Sequence, residues 1–161
     1  MEYRDLYDEN RILTGEKISK DDKVPENKFI LMVVIFIQNN KNEFLIQKRT
    51  LDKGGLWATT GGHPKSGESS IDGIITEVKE ELGISINNPI LFKQASGKNS
   101  FCDLYYLKAN INVNDIKIQE DEVSDIKWAT TLEIKKLYQN QLFNKGHYMM
   151  FQDCLEFLNN V

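Results

Sequence analysis

The segment GGHPKSGESSIDGIITEVKEELGI, residues 61–84, joins a glycine-rich stretch to an acidic segment with helical periodicity. Three glutamates, Glu77, Glu80 and Glu81, lie within about one turn of the predicted helix, and Glu68 precedes it. Like charges three or four positions apart on a helix repel each other by roughly a few tenths of a kcal/mol per pair. The crowding of these acids therefore calls for a compensating partner.

The helix is predicted to begin after Ser69, which can cap it in a capping-box variant with Asp72, and to end at Gly83. Its core-facing stripe, within roughly a 100° sector, consists of Ile71, Ile74, Ile75, Val78 and Leu82. The three glutamates lie directly beside this stripe, at the rim of the predicted core. The dielectric constant is lower there than in bulk water, which strengthens their repulsion and favours a divalent cation as the partner.

Carboxylate oxygens suit a hard cation such as Mg²⁺, which keeps its remaining coordination positions for water and substrate phosphates. The acidic turn therefore suggests a magnesium site that serves phosphate chemistry. The alternative is a solvated helix face, which a chain with 27% charged residues can produce by chance. The spacing of the surrounding residues favours the metal site.

The remaining apolar segments predict a mixed β-sheet. The segment FILMVVIFI, residues 29–37, is apolar at every position, as expected for a central strand covered on both faces. A hairpin is predicted at residues 3–20, and the strand EFLIQKR ends in Lys48 and Arg49. Further strands are predicted in LWATT, ILFKQA, FCDLYYLKANINV and EVSDIKWAT, and terminal helices in TLEIKKLYQ and HYMMFQDCLEFL. Strands interleaved with helices predict an α/β class fold, with an α+β mixed sheet between helices, as a single domain over residues 1–161.

The composition limits the classes of partner and compartment. A net charge of −4 argues against a nucleic-acid partner, because nucleic-acid-binding domains usually carry a basic face. The longest apolar run has nine residues, about half of a membrane span, and the acidic start of the chain is unlike a secretory signal. We expect a cytoplasmic protein without a membrane partner, in which Cys102 and Cys154 are reduced thiols.

The glycines and glutamates of residues 61–84 are spaced in a pattern that resembles the Nudix box of Nudix hydrolases. In chain order, the matching residues are Gly62, Glu68, Glu77, Val78, Glu80, Glu81, Gly83 and Ile84. A chance match to all of these positions is on the order of 10⁻⁵ or less, given average residue usage. The resemblance implies a Nudix-type αβα sandwich.

The resemblance also implies a set of metal ligands, namely Glu77, Glu80, Glu81 and the backbone carbonyl of Gly62. The cofactor it implies is Mg²⁺, for which Mn²⁺ can substitute. Glu68 corresponds to the glutamate that orients the helix in the family. The number of bound metal ions stays open.

One residue departs from the box, because Thr76 stands where the family has an arginine. That arginine usually forms salt bridges that hold the box carboxylates in place. We therefore expect these carboxylates to be less firmly anchored, while Gly83 keeps its structural role at the end of the helix.

The activity implied by the resemblance is that of a Mg²⁺-dependent pyrophosphohydrolase, in which water attacks one phosphorus of a nucleoside diphosphate linked to another moiety. The substrate is expected to be a small-molecule diphosphate, with a nucleotide as the first expectation, although non-nucleotide diphosphates also fit. Candidates for the general base are Glu77, Glu120 and Glu122. Candidates for binding the substrate phosphates are Lys48, Arg49 and Lys65. A homodimer is compatible with the sequence, and His147 is expected to pack within the terminal helix.

Two alternatives accompany this hypothesis. A Nudix-fold sensor that binds a nucleotide or nucleotide sugar without cleaving it is favoured by the missing arginine and disfavoured by the intact glutamates. The segment GHPKSGES also resembles isopentenyl-diphosphate isomerase, in which His63 would ligate a metal. That enzyme needs a cysteine where this chain has Gly61, further histidines before His63, and glutamates that SFCDLYYL lacks.

Overall fold

The computed structural model describes residues 1–161 and contains every strand and helix predicted above. The strands are β1 (Tyr3–Tyr7), β2 (Leu13–Ser19), β3 (Ile30–Gln38), β4 (Phe44–Arg49), β5 (Trp57–Ala58), β6 (Thr60–Gly62), β7 (Ile90–Ser96), β8 (Ser100–Lys108) and β9 (Val123–Ala129). The helices are α1 (Ser70–Leu82), α2 (Thr131–Gln139) and α3 (Lys145–Asn159). None of these helices combines the length and the apolar character that crossing a lipid bilayer requires.

The predicted central strand, β3, lies in the middle of a seven-stranded mixed sheet. It runs parallel to β8 on one side, and on the other side it pairs antiparallel with β6 and, through a tight hairpin, with β4. Strand β4 in turn pairs antiparallel with β5 and β9, and β7 forms the edge beyond β8. The glycine-rich β6 is thus held directly against the most buried strand of the molecule.

The sheet separates two apolar cores, which confirms the predicted αβα arrangement. Successive side chains of β3 point to opposite faces, so Val33 and Ile35 pack against α1 while Val34 and Phe36 pack against α3. Each fully buried side chain of this kind stabilises the fold by roughly 1.5–3 kcal/mol relative to an exposed one. One core therefore holds α1 firmly against β3, and the other holds α3 against the opposite face.

Helix α1 has the predicted bounds but differs from the prediction in its first turn. The Ser69 hydroxyl accepts a hydrogen bond from the Asp72 backbone N–H at 3.2 Å, without the reciprocal bond of a capping box, and Gly83 ends the helix with φ 67°. Ile71, expected in the core stripe, is 41% exposed. The inward position of this turn belongs to Ser70, whose hydroxyl donates to Asp103 at 2.5 Å.

The loop between β6 and α1 is fastened to the helix through Glu68. One carboxylate oxygen of Glu68 accepts a hydrogen bond from the Lys65 backbone N–H and the other accepts one from the Thr76 hydroxyl, each at 2.7 Å. A Cβ atom on Gly73 would lie 2.5 Å from the Pro64 ring, so the absence of a side chain there lets the loop pack closely on α1. These contacts fix the loop relative to the acidic turn of the helix.

The N-terminal hairpin of β1 and β2 forms a separate two-stranded sheet that is docked on the main one. Arg11, in its turn, donates two hydrogen bonds to the fully buried Asp103 on β8, one of them at 2.7 Å. At the other end of the hairpin, the Tyr3 carbonyl accepts from the Ser66 N–H at 2.8 Å. The hairpin is therefore anchored both to the sheet and to the loop that precedes α1.

We expect Thr76→Val to destabilise the protein by about 1–2 kcal/mol, because the variant loses a hydrogen bond to a carboxylate. Urea-induced unfolding measures this change, with Thr131→Val as the matched control, since Thr131 is exposed and makes no side-chain hydrogen bond beyond its own helix. Equal stability of the two variants would contradict the anchoring role of Thr76.

We expect Arg11→Met to destabilise the protein by about 3 kcal/mol, because it leaves the buried Asp103 carboxylate without its cation. Lys17→Met removes an exposed cation from the same hairpin and serves as the control in the same unfolding experiment. An Arg11→Met variant no less stable than the control would show that the ion pair does not hold the hairpin in place.

Candidate functional site

A cavity of about 500 Å³ opens where the N-terminal hairpin, β6, α1, the loop before β9 and α3 meet. Only two of its lining residues, Met32 and Val34, are apolar. The charged and polar lining residues are Glu2, Arg4, Lys20, Asp21, Arg49, Lys53, His63, Glu77, Glu80, Glu81, Gln119, Glu122 and His147, together with Gly61 and Gly62. The cavity thus contains the glutamates of α1 and cations from three other parts of the chain.

Glu77 lies directly on the backbone of β6. A Cβ atom on Gly62 would be 2.4 Å from the Glu77 carboxyl carbon, so any larger residue at position 62 would displace this carboxylate. Burial and the nearby charges of Glu81 and Glu80 raise the pKa of Glu77 to about 8. The half-buried carboxyl group is thus held where burial and two neighbouring carboxylates disfavour its ionised form.

Glu81 is the most buried of the three acids, with 4% of its surface exposed. One of its carboxylate oxygens accepts a hydrogen bond from the Gln47 amide at 3.3 Å, and the Gln47 oxygen accepts one from the Thr60 hydroxyl at 2.9 Å. Its other oxygen, Oε2, is buried without any partner. Burial, partly offset by the bond from Gln47, raises the pKa of Glu81 to about 7.

Glu80 is more exposed and forms an ion pair with the Lys65 ammonium group. Lys65, predicted to bind substrate phosphate, lies outside the cavity lining and is engaged by Glu80, a predicted metal ligand. No three Asp, Glu, His or Cys side chains of the chain converge closely enough to form a ready-made cation site. For all three glutamates to bind one cation, Glu80 has to release the Lys65 ammonium group and contact the metal instead.

These groups fit a hard divalent cation. The buried Glu81 oxygen lacks a partner, and the neighbouring Glu77 is destabilised as an anion by the other two carboxylates. A cation beside them would supply the missing interaction and favour the ionised forms of both groups. Oxygen donors of this kind are those that Mg²⁺ and Mn²⁺ prefer.

Arg49 and Lys53 form a basic wall of the same cavity. Arg49, at the end of β4, donates to Glu122 at 2.9 Å, and the Lys53 ammonium lies 3.5 Å from the other Glu122 oxygen. Lys48 does not line the cavity, because alternate residues of β4 face opposite sides of the sheet. Glu120 is exposed and also lies outside the lining, so only one residue of each predicted pair, Arg49 and Glu122, reaches the site.

His147, expected to pack the terminal helix, lies on α3 and also lines the cavity. Its Nδ1 atom accepts a hydrogen bond from the Thr59 backbone N–H at 3.3 Å and lies 2.8 Å from the Thr59 hydroxyl. Because Nδ1 accepts, the neutral ring carries its proton on Nε2; burial and the charge of Arg49 lower the pKa of His147 to about 4. Only the packing of α3 against β5 brings this distant residue here, and the sequence carries no signal for it.

The looser anchoring that the missing box arginine predicts for the carboxylates is not found at Glu68. The hydroxyl of Thr76 donates directly to the Glu68 carboxylate at 2.7 Å and so holds the residue that orients the helix. Gln47 and Thr60 orient Glu81, but the sequence did not identify them. Both lie on strands, and no helical spacing links them to Glu81. Polar side chains therefore anchor Glu68 and one oxygen of Glu81.

The geometry at Gly61 bears on the isomerase alternative. A Cβ atom at this position would lie 2.7 Å from the Val33 carbonyl oxygen, so the site has no room for a cysteine without a shift of the β3 backbone. The residue that the isomerase requires is thus absent, and its place is closed by the pairing of β6 with β3.

Comparisons with known proteins agree with the architecture. The family model described as the NUDIX domain matches residues 28–153. An uncharacterised Nudix hydrolase of Listeria monocytogenes is 32% identical over 160 residues, which cover 89% of this chain and 95% of that protein. A protein of Deinococcus radiodurans with a solved structure shares the fold, with a TM-score of 0.80, 19% identity, and coverage of 95% of this chain and 99% of that one.

A weaker similarity connects the chain to an isopentenyl-diphosphate delta-isomerase of Shigella boydii, 28% identical over 110 residues that cover 60% of this chain and 59% of that enzyme. The family model, by contrast, spans most of the chain and includes the whole acidic turn with its glycine-rich approach. On these matches and on the site described above, the chain belongs to the Nudix hydrolase family.

Proposed function

We propose that the protein is a Mg²⁺-dependent pyrophosphohydrolase that cleaves the diphosphate of a nucleotide joined to another moiety. The observation that carries the proposal is the buried, unpartnered oxygen of Glu81 beside Glu77, in a cavity that also contains Arg49 and Lys53. A cation would pair with the carboxylates, and phosphate groups would pair with Arg49 and Lys53. The site therefore fits a metal–diphosphate complex better than either component alone.

Hydrolysis forms a bond between a water oxygen and one phosphorus, breaks the bridging P–O bond, and releases the water proton to a base. Bound Mg²⁺ would supply charge neutralisation and orientation of the water. Glu77, Glu80 and Glu81 would hold it, together with the Gly62 carbonyl. Gln47 fixes one oxygen of the Glu81 carboxylate and leaves the other, Oε2, without a protein partner that would compete with the cation.

The base and the phosphate contacts come from residues that line the cavity. Glu77 and Glu122 both lie in the lining and are the proposed proton acceptors. Arg49 and Lys53, which hold Glu122, can also contact the phosphate oxygens that gain charge during the reaction. The Nε2–H group of His147 is a further donor at this wall.

The sensor alternative rests on the loss of the box arginine at Thr76. The hydrogen bond from the Thr76 hydroxyl, which holds Glu68 in place, supports the hydrolase over the sensor. A phosphate-release screen with Mg²⁺ over nucleoside triphosphates, nucleotide sugars, dinucleoside polyphosphates and non-nucleotide diphosphates tests the proposal. Cleavage of a nucleotide diphosphate supports it, and a chain that binds these compounds without cleaving any of them contradicts it.

We expect Glu81→Gln to lower kcat by orders of magnitude, because an amide cannot replace the charge that a metal ligand supplies. The fold should persist, since the amide can keep the contact with Gln47 and removes a poorly compensated anion. Steady-state kinetics and circular dichroism measure the two effects. Glu156→Gln, at an exposed position of α3, makes the same change away from the cavity. A near-normal rate in Glu81→Gln would reject the metal assignment.

The raised pKa values of Glu77 and Glu81 predict how metal and pH act together on stability. On these two carboxyl groups the folded chain keeps protons that the unfolded chain releases, so without metal their contribution to the free energy of unfolding falls as pH rises from about 4.5 to about 8. Mg²⁺ favours the ionised carboxylates, and should therefore raise the thermal unfolding midpoint more at about pH 8.5 than at about pH 5.5. Scans with Mg²⁺ or with a chelator measure this difference, and an equal effect at both pH values would contradict it.

A further inference from the structure

All of the buried side-chain polar atoms that lack a hydrogen-bond partner belong to residues of one cavity. These atoms are Nε of Arg4, Nε of Arg49 and Oε2 of Glu81. Buried polar groups in folded proteins are nearly always paired, so three such atoms on residues that line one cavity indicate a missing ligand. Two unused donors on cations and one unused anionic acceptor call for a ligand with both negative and positive parts.

Arg4 is the member of this set that the family match does not include. It lies on β1, whereas the matched segment is residues 28–153. Its guanidinium group forms no salt bridge and its Nε–H is buried in the cavity wall, although acidic residues are present in the same lining. An arginine whose Nε–H is buried without a carboxylate partner is suited to bind an anion.

The position of Arg4 is fixed by its neighbours on both sides. The Tyr3 carbonyl accepts a hydrogen bond from the Ser66 N–H at 2.8 Å. The Asp5 carboxylate accepts one from the Ser66 hydroxyl at 2.6 Å and one from the Gly67 N–H at 2.9 Å. Arg4 lies between Tyr3 and Asp5, which are both bonded to the loop that leads into α1. Its backbone is therefore held in a fixed position relative to the acidic turn.

We infer that Arg4 binds a phosphate group of the substrate and that the N-terminal hairpin is thereby part of the active site. The inference rests on the proposed function for the identity of the anion. Arg4 reaches the diphosphate from the hairpin while Arg49 reaches it from β4, and the acidic turn of α1 holds the cation. Lys20, at the end of the same hairpin, adds a second positive charge to this side of the cavity.

The test is the affinity for methylenediphosphonate, a diphosphate that cannot be hydrolysed at its bridge, measured by isothermal titration calorimetry in Mg²⁺ at constant salt. We expect Arg4→Gln to weaken binding at least tenfold, and Arg4→Lys to weaken it less, because lysine keeps the charge and loses the paired donors. Lys23→Gln removes one positive charge from an exposed residue just beyond the hairpin and outside the cavity, and should bind as the unaltered protein does.

The binding affinities and the hydrolysis screen together separate a failure of this inference from a failure of the proposed function. Affinities of Arg4→Gln and Lys23→Gln within about twofold of the unaltered protein overturn the inference, as does an unaltered protein that does not bind the diphosphonate. A folded, Arg4-dependent binder that hydrolyses no diphosphate in the screen upholds the inference and rejects the proposed hydrolase. Thermal unfolding of each variant verifies folding, and if Arg4→Gln does not fold, a loss of affinity in folded Arg4→Lys decides the matter in its place.

Discussion

A carboxylate held inside the edge of a hydrophobic core, with only one of its oxygens paired, is the constraint around which the site is arranged. Glu81 receives a hydrogen bond from Gln47 and nothing at its second oxygen. Removing a charge from water without full compensation is unfavourable, and the raised pKa values of Glu77 and Glu81 express that imbalance. The imbalance persists because the helix cannot turn away, since Ile74, Val78 and Leu82 are fully buried on its inner side.

The rest of the architecture holds this arrangement in position. Strand β3 is covered on both faces, and its pairing with β6 brings Gly62 against the acidic turn without a side chain in between. The loop that follows is tied to α1 by Glu68 and to the N-terminal hairpin by Asp5. The apolar cores thus supply the free energy that keeps poorly compensated charges together, and a metal–phosphate ligand would recover part of it.

Several features of the site could be predicted from the sequence because they depend on local spacing. The periodicity of α1, its end at Gly83 and the clustering of its glutamates all follow from helix geometry. Other features could not be predicted, since they join residues distant in the chain. His147 reaches the cavity only through the packing of α3, Gln47 meets Glu81 across 34 positions, and Arg4 enters from a separate two-stranded sheet.

The sequence by itself determined the family, the αβα architecture and the acidic turn. These depend on repeating apolar positions and on the spacing of glycines and glutamates, which are local properties of the chain. Only the tertiary structure decided which charges share a cavity. Alternation along β4 separates Arg49 from Lys48, and the turn before β9 brings Glu122 into the cavity lining while Glu120 stays outside it, although each pair is close in sequence. Burial, which determines whether a carboxylate needs a cation, likewise exists only once the two cores have formed around it.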